Sequence, residues 1–227
     1  MKVAMIDLLA QTPFYDRYLS EALVPLVTQL TLYTIRFHHE PAYFEGVSFR
    51  CSPGRTDRWS LAFADVEPLR KIAKLVEYKL NWRRLLNEFD RNPPDVVHIQ
   101  RLPLWGRPLF REKNVLTRLR EMGVPLVYTA HNYLPHDAPS SIKGAYKLLY
   151  SIVSHVIVHT HLDRQRLRAD FGVDQKRMTV VPQGPVFFEQ SGVDREEARS
   201  SLGWPPDAMI FLMLGVIRPY KGGEELL

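Results

Sequence analysis

The chain has a single cysteine, Cys51, so no disulfide can form within it; this fits a reducing compartment. No apolar run approaches the roughly 18 residues of a membrane span. The N-terminal run Val3-Ala4-Met5-Ile6 is broken by Asp7, too soon for the core of a signal peptide, and reads as a first strand. There is no G-x-G-x-x-G after that strand, so a nicotinamide cofactor is poorly supported. Zinc-finger spacing, RNA-binding aromatic signatures and blocks of like charge are also lacking. The net charge of +5 is therefore not read as a nucleic-acid footprint. A basic surface also suits an anionic lipid or a phosphorylated substrate. Internal repeats and low-complexity tracts are absent. The expected location is cytoplasmic, or peripheral on the inner face of the plasma membrane.

What is present is alternation. From residue 95 to residue 181, short buried-type strands alternate with amphipathic helices. Residues 95–100, 124–130, 155–158 and 177–181 read as strands, and residues 115–122, 142–151 and 162–171 as helices. Gly123 and Gly172 stand where helices end. Upstream, residues 2–8, 31–37 and 47–51 read as strands, and a helix runs from the Thr12-Pro13 loop through Val27. This pattern predicts an α/β fold with a doubly wound, Rossmann-like parallel sheet. In such sheets ligands lie at the carboxyl ends of the strands, so the loop carrying Phe14 and Tyr15 faces a crevice. These two rings either cap the sheet edge or touch a substrate.

Residues 67–89 predict one long helix, with Ile72, Leu75, Val76, Leu86 and Phe89 at the spacing of a core-facing stripe. Arg70, Lys71, Lys74, Lys79, Arg83 and Arg84 make it basic, with Tyr78 and Trp82 interleaved. It is either a solvated outer helix or a contact for anionic lipid head groups. His38 and His39 fall in a polar loop and read as solvated. His155, His159 and His161 lack a Cys or acidic partner at ligand spacing, and no metal site is expected. After Gly184 the pattern breaks. Residues 186–207 read as a linker and a short helix capped by Asp194, with Glu197 three residues on. Residues 209–216 then predict the first strand of a second domain. It leads into Arg218-Pro219-Tyr220-Lys221-Gly222, where cations and a helix start would form an anion site.

Four stretches together resemble the retaining glycosyltransferases of family 4, which have the two-domain GT-B fold. They are Asp95-Val96-Val97-His98, the loop from Thr129 through His131, Asn132, Pro135 and His136 to Asp137, Val180-Val181-Pro182-Gln183-Gly184, and Leu214-Gly215-Val216-Ile217-Arg218-Pro219-Tyr220-Lys221-Gly222. The resemblance implies an acceptor-binding domain over residues 1–185, a linker and capping helix over 186–207, and the start of a truncated donor domain over 208–227. It implies transfer of a sugar, with retention, from a nucleotide-sugar to a glycan or lipid-linked acceptor, without a metal or other cofactor. Arg218 and Lys221, beside Gly222, would bind the donor and neutralise its leaving diphosphate. His131 would orient the reacting sugar. Phe14, Tyr15, Arg17, Asn132 and His136 are the candidate acceptor contacts. Gln183 stands where the family commonly has His, and Val216 where many relatives have Arg. The donor domain's acidic pair would lie beyond Leu227, so the chain alone is expected to show little transferase activity. Two alternatives stay open at this point: a non-catalytic module that binds an acceptor or partner, and a GT-B nucleotide-sugar epimerase.

Overall fold

A computed structural model describes residues 1–37, 39–53, 57–63, 65–107, 112–135, 140–184, 192–213 and 222–223. Seven strands form one sheet in the order β3-β2-β1-β4-β5-β6-β7, and every pairing is parallel. They are β1 (Lys2–Asp7), β2 (Gln29–Thr34), β3 (Arg50–Pro53), β4 (Val96–Ile99), β5 (Leu126–Ala130), β6 (His155–Val158) and β7 (Met178–Val180). The helices are α1 (Pro13–Leu23), α2 (Arg58–Ala62), α3 (Glu67–Arg91), α4 (Glu112–Glu121), α5 (Lys143–Ile152), α6 (His161–Phe171) and α7 (Arg195–Ser201). The doubly wound parallel sheet read from the sequence is therefore present. Strand order reverses between β1 and β4, the central pair, which opens a crevice at their carboxyl ends.

The central strands are buried on both faces, which is why they read as unbroken apolar runs. The larger core cluster packs Ile6, Val97, Ile99 and Leu126 of the sheet against Tyr78, Trp82 and Phe89 of α3 and Leu116 and Leu119 of α4. Each large side chain fully buried there contributes about 1.5–3 kcal/mol. A smaller cluster beyond β2 holds Met5, Leu30, Leu32, Tyr43, Phe44 and Phe49. Helix ends follow their sequence signals. Thr160 accepts from the Asp163 N–H at 2.9 Å at the start of α6, and Gly172 ends it in the left-handed region at φ 67°. Pro93 and Pro94 follow α3 directly.

The orientation of α3 departs from the sequence expectation. Its buried face is Ala73, Glu77, Tyr78, Asn81, Trp82, Leu85 and Phe89. Ile72 and Val76, expected inside, are 59% and 45% exposed, and Leu75 is exposed as well. The bulky aromatic residues fix which face meets the sheet. In the first turns that face carries Ala73 and Glu77, and Glu77 Oε1 accepts from the N–H groups of Trp59 (2.8 Å) and Ser60 (3.4 Å) at the start of α2. Tyr78 and Trp82, read as interleaved with surface charges, are core residues. The sequence pattern also missed α2, a helix of five residues.

The chain divides into two units, Met1–Val186 and Phe187–Leu227. In the second, Asp194 caps α7 by accepting from the Glu197 N–H at 2.8 Å, and Arg199 donates to the carbonyls of Pro206 (2.8 Å) and Ala208 (2.9 Å). Residues 209–213, expected to begin a strand, form none, and Met209, Phe211 and Leu212 are exposed. An apolar run becomes a strand only when a neighbouring strand takes its N–H and C=O groups, and these residues pair with no described strand.

Candidate functional site

The site is assembled at the carboxyl edge of the first unit. Asp7 closes β1 with its side chain fully buried. Its Oδ1 accepts from the Leu9 N–H at 3.3 Å, and its Oδ2 from those of Gln11 (2.7 Å) and Thr12 (3.0 Å). One carboxylate thus folds the whole β1–α1 loop over the sheet edge. The loop is tight enough to hold Ala10 at φ 48°, a conformation that non-glycine residues seldom adopt. Pro13 then starts α1, and the loop delivers Tyr15 edge-on to two imidazoles, His131 at 5.0 Å and His159 at 5.5 Å between ring centres.

Those two histidines follow β5 and β6. Nδ1 of His159 lies 2.9 Å from the Val181 carbonyl, and a carbonyl only accepts, so His159 carries its proton there. Its Nε2, 3.3 Å from Nδ1 of His131, then accepts the His131 proton. Nε2 of His131 is left with a lone pair, 3.3 Å from the side-chain amide of Gln100 at the end of β4. The proton inventory therefore turns the NH2 of Gln100 toward His131 and its oxygen toward His98. His98 Nε2, 3.3 Å from that amide and 2.8 Å from Thr129 Oγ1, is the donor to both. A line of imidazoles and one amide runs across three strand ends, with Tyr15 lying against the His131 and His159 rings. Burial lowers His98 to about 4. Burial also lowers His131, to about 3, and the Arg101 charge and the neighbouring His159 and His98 act in the same direction.

Two further ionisable side chains, Asp16 and Arg101, act on this site. Asp16, on α1 and fully buried, has its pKa raised well above the carboxylate range, first by burial and then by the charge of Asp7. Asp7 takes the backbone N–H bonds that favour an anion, so Asp16 holds the proton and shares it with Asp7. Thr12 Oγ1 lies 3.4 Å from both carboxyl groups. Arg101, following Gln100, acts on both Asp16 and His131, and its buried Nε has no hydrogen-bond partner among the described residues. An open crevice of about 630 Å3 lies alongside, lined by residues that include Thr12, Phe14, Tyr15, His39, Lys74 and Gln183. That volume takes a molecule of monosaccharide size or larger.

The residues singled out in the sequence separate as follows. Tyr15 and His131 come together, and Phe14 lines the crevice beside Tyr15, edge-on to Phe37 at 5.7 Å and Tyr43 at 5.0 Å. Arg17 is occupied elsewhere: it donates to the Tyr43 carbonyl (2.7 Å), pairs with Glu21 (3.1 Å) and lies over the Tyr43 ring. Asn132 is exposed, one residue past His131. Gly222 has φ 70°. His136, Arg218 and Lys221 lie outside the described residues. Sequence reasoning missed Gln100, Arg101, Lys74 and the Asp7–Asp16 pair, and it weighed His159 only as a metal ligand. Reading the residue after every strand of the sheet would have found Gln100 and His159 by the rule that found His131.

A parallel sheet in this order, with its polar side chains gathered at the carboxyl edge, defines the Rossmann-like fold of GT-B glycosyltransferases. The chain belongs to glycosyltransferase family 4, whose profile matches residues 17–184. It is 31% identical over 116 residues to the D-inositol 3-phosphate glycosyltransferase of Actinosynnema mirum, covering 46% of this chain and 28% of that protein. To the enzyme of the same name from Rhodococcus opacus it is 27% identical over 155 residues, covering 63% of this chain and 33% of that one. Among solved structures it resembles a glycosyltransferase from Rickettsia africae, with TM-score 0.59, 13% identity, and coverage of 97% of this chain and 54% of that one. It also resembles the Anabaena protein HepE in complex with UDP and glucose, with TM-score 0.53, 14% identity, and coverage of 89% and 50%. The matches thus span about a third or less of these curated relatives and about half of these solved chains.

Proposed function

We propose that this chain forms the acceptor-binding half of a retaining glycosyltransferase that moves a sugar from a nucleotide-sugar to a glycan or lipid-linked acceptor. The observation that carries this reading is His131, held neutral at the carboxyl edge of the sheet beside an open crevice and fixed through both ring nitrogens. In the reaction the bond from the sugar's anomeric carbon to the donor phosphate is exchanged for one to an acceptor hydroxyl oxygen, whose proton leaves with the released diphosphate. A histidine with its pKa lowered to about 3 is a poor proton acceptor. Its role is to orient the reacting sugar, with Tyr15 and His159 keeping its ring in place. Phe14 and Tyr15 offer apolar faces to the acceptor, and Asn132 and His136 supply polar contacts from the loop after β5. Lys74 on the crevice wall and Arg101, whose charge reaches His131, suit an acceptor that bears a phosphate, the chemistry in the name of the D-inositol 3-phosphate glycosyltransferases. Arg218 and Lys221, next to Gly222, neutralise the leaving diphosphate, and no metal or other cofactor is needed for that. We place the reaction in the cytoplasm, where a lone thiol such as Cys51 stays reduced.

A panel of nucleotide-sugars and phosphorylated or lipid-linked acceptors tests this, using the chain alone and a version carrying a complete donor domain. The expected outcome is transfer by the two-domain protein and little by the chain alone. Comparable turnover by both would contradict the division of labour. Absence of product with every donor would contradict the activity itself.

A further inference from the structure

We infer that the outward face of α3 is a docking surface for an anionic lipid bilayer. α3 presents to solvent apolar residues that its sequence pattern placed inside. Leu69, Ile72, Val76, Lys79 and Arg83 follow one another at alternating spacings of three and four, which puts them in one line along a helix. All five are exposed, Leu69 at 46%. Val66 and Leu75 widen the apolar part, and α2, which packs against α3, adds the half-exposed Trp59 and Phe63. Solvent-facing helix surfaces are polar; a contiguous apolar patch is a contact surface.

Charge selects the occupant. The apolar turns run into Lys79 and Arg83 along the same line, with exposed Arg84 next to it and Arg58 on α2. On the acidic side, Asp65 and Glu67 are exposed, Glu67 is paired with Lys71 at 2.7 Å, and Glu77 is buried in capping α2. An apolar strip bordered by cations with no acidic partner among the described residues matches acyl chains beneath anionic head groups better than a mixed-charge protein surface. This goes beyond the proposed transfer reaction, and its test needs neither donor nor acceptor, so the two can fail separately.

The test is co-sedimentation of the 227-residue chain with vesicles of phosphatidylcholine alone, or mixed in equal parts with phosphatidylglycerol. The chain is expected to bind the anionic vesicles about tenfold or more tightly than the neutral ones, and to be released by high salt. The double variant Ile72→Glu/Val76→Glu should lose about tenfold or more in partitioning, with its melting temperature unchanged because both sites are exposed. Lys79→Ala/Arg83→Ala, which leaves the apolar strip intact, should weaken binding to anionic vesicles only, and it decides the matter if the first variant is unstable. A chain that stays in the supernatant with both vesicles, or variants that bind as well as the parent, would overturn the proposal. A dimer that the apolar variant dissolves, without vesicle binding, would overturn it in favour of a second copy of this chain.

Discussion

Replacing His131 by alanine in a protein with both halves should slow sugar transfer by about a hundredfold, with the melting temperature little changed. The ring is held from both sides, by the Gln100 amide and by His159, and it supports the Tyr15 ring. Alanine removes all three contacts while leaving the apolar sheet below untouched. His131→Asn would restore a polar group without the ring and should recover only a small part of the rate. Because the imidazole is already neutral, the rate should not follow a histidine titration between pH 6 and 8, roughly where an unshifted ring changes charge. A bell-shaped profile centred there, lost with His131, would show the residue acting as a base and would replace the orienting role. His159→Ala should give a smaller loss with the same pH profile, since it acts through His131.

The second large effect is on stability, and it is asymmetric. Asp7→Ala should cost about 3 kcal/mol or more, because three backbone N–H groups lose their acceptor at once. The β1–α1 loop would loosen, and Tyr15 with it. Asp16→Asn should cost less than about 1 kcal/mol at neutral pH, since an amide NH2 can donate where the protonated carboxyl now does. The sign with pH follows from the raised pKa of Asp16. Its fold-bound proton stabilises the folded chain, and that stabilisation is lost as pH rises through the folded-state pKa. Asp16→Asn, which has no such proton to lose, should therefore gain on the parent protein as pH rises. Urea denaturation at neutral and alkaline pH measures both. Equal losses for the two variants would mean that the proton is not held on Asp16.

Much of the fold was legible because buried parallel strands have no polar face to hide. Residues 155–158 and the turn at Gly172 could be read directly, since an apolar run and a left-handed glycine are local features. The face of α3 could not. Ile72, Val76, Tyr78 and Trp82 all sit at plausible spacings, and which of them goes inside depends on the sheet and α4. Residues 209–213, the described part of the strand expected over 209–216, form none for a related reason, because strands exist only in pairs. At the site, His131 was legible from its motif and its place after a strand. The partners were not: His159 lies 28 positions away and Gln100 31, and they meet only because β4, β5 and β6 are neighbours. The Asp7–Asp16 pair was hidden for another reason. Acidic residues near a helix start read as ordinary complements to its dipole, and it is burial, with the charge of Asp7 beside it, that makes Asp16 hold a proton.

The most direct test is an NMR titration of the isotopically labelled chain with an acceptor that the two-domain enzyme glycosylates. Saturable shifts are expected at Tyr15, Gln100, His131 and His159, with Phe14 and Lys74 following along the crevice wall. Saturable shifts confined to another face, with these residues silent, would contradict the assignment of the carboxyl-edge crevice as the acceptor site.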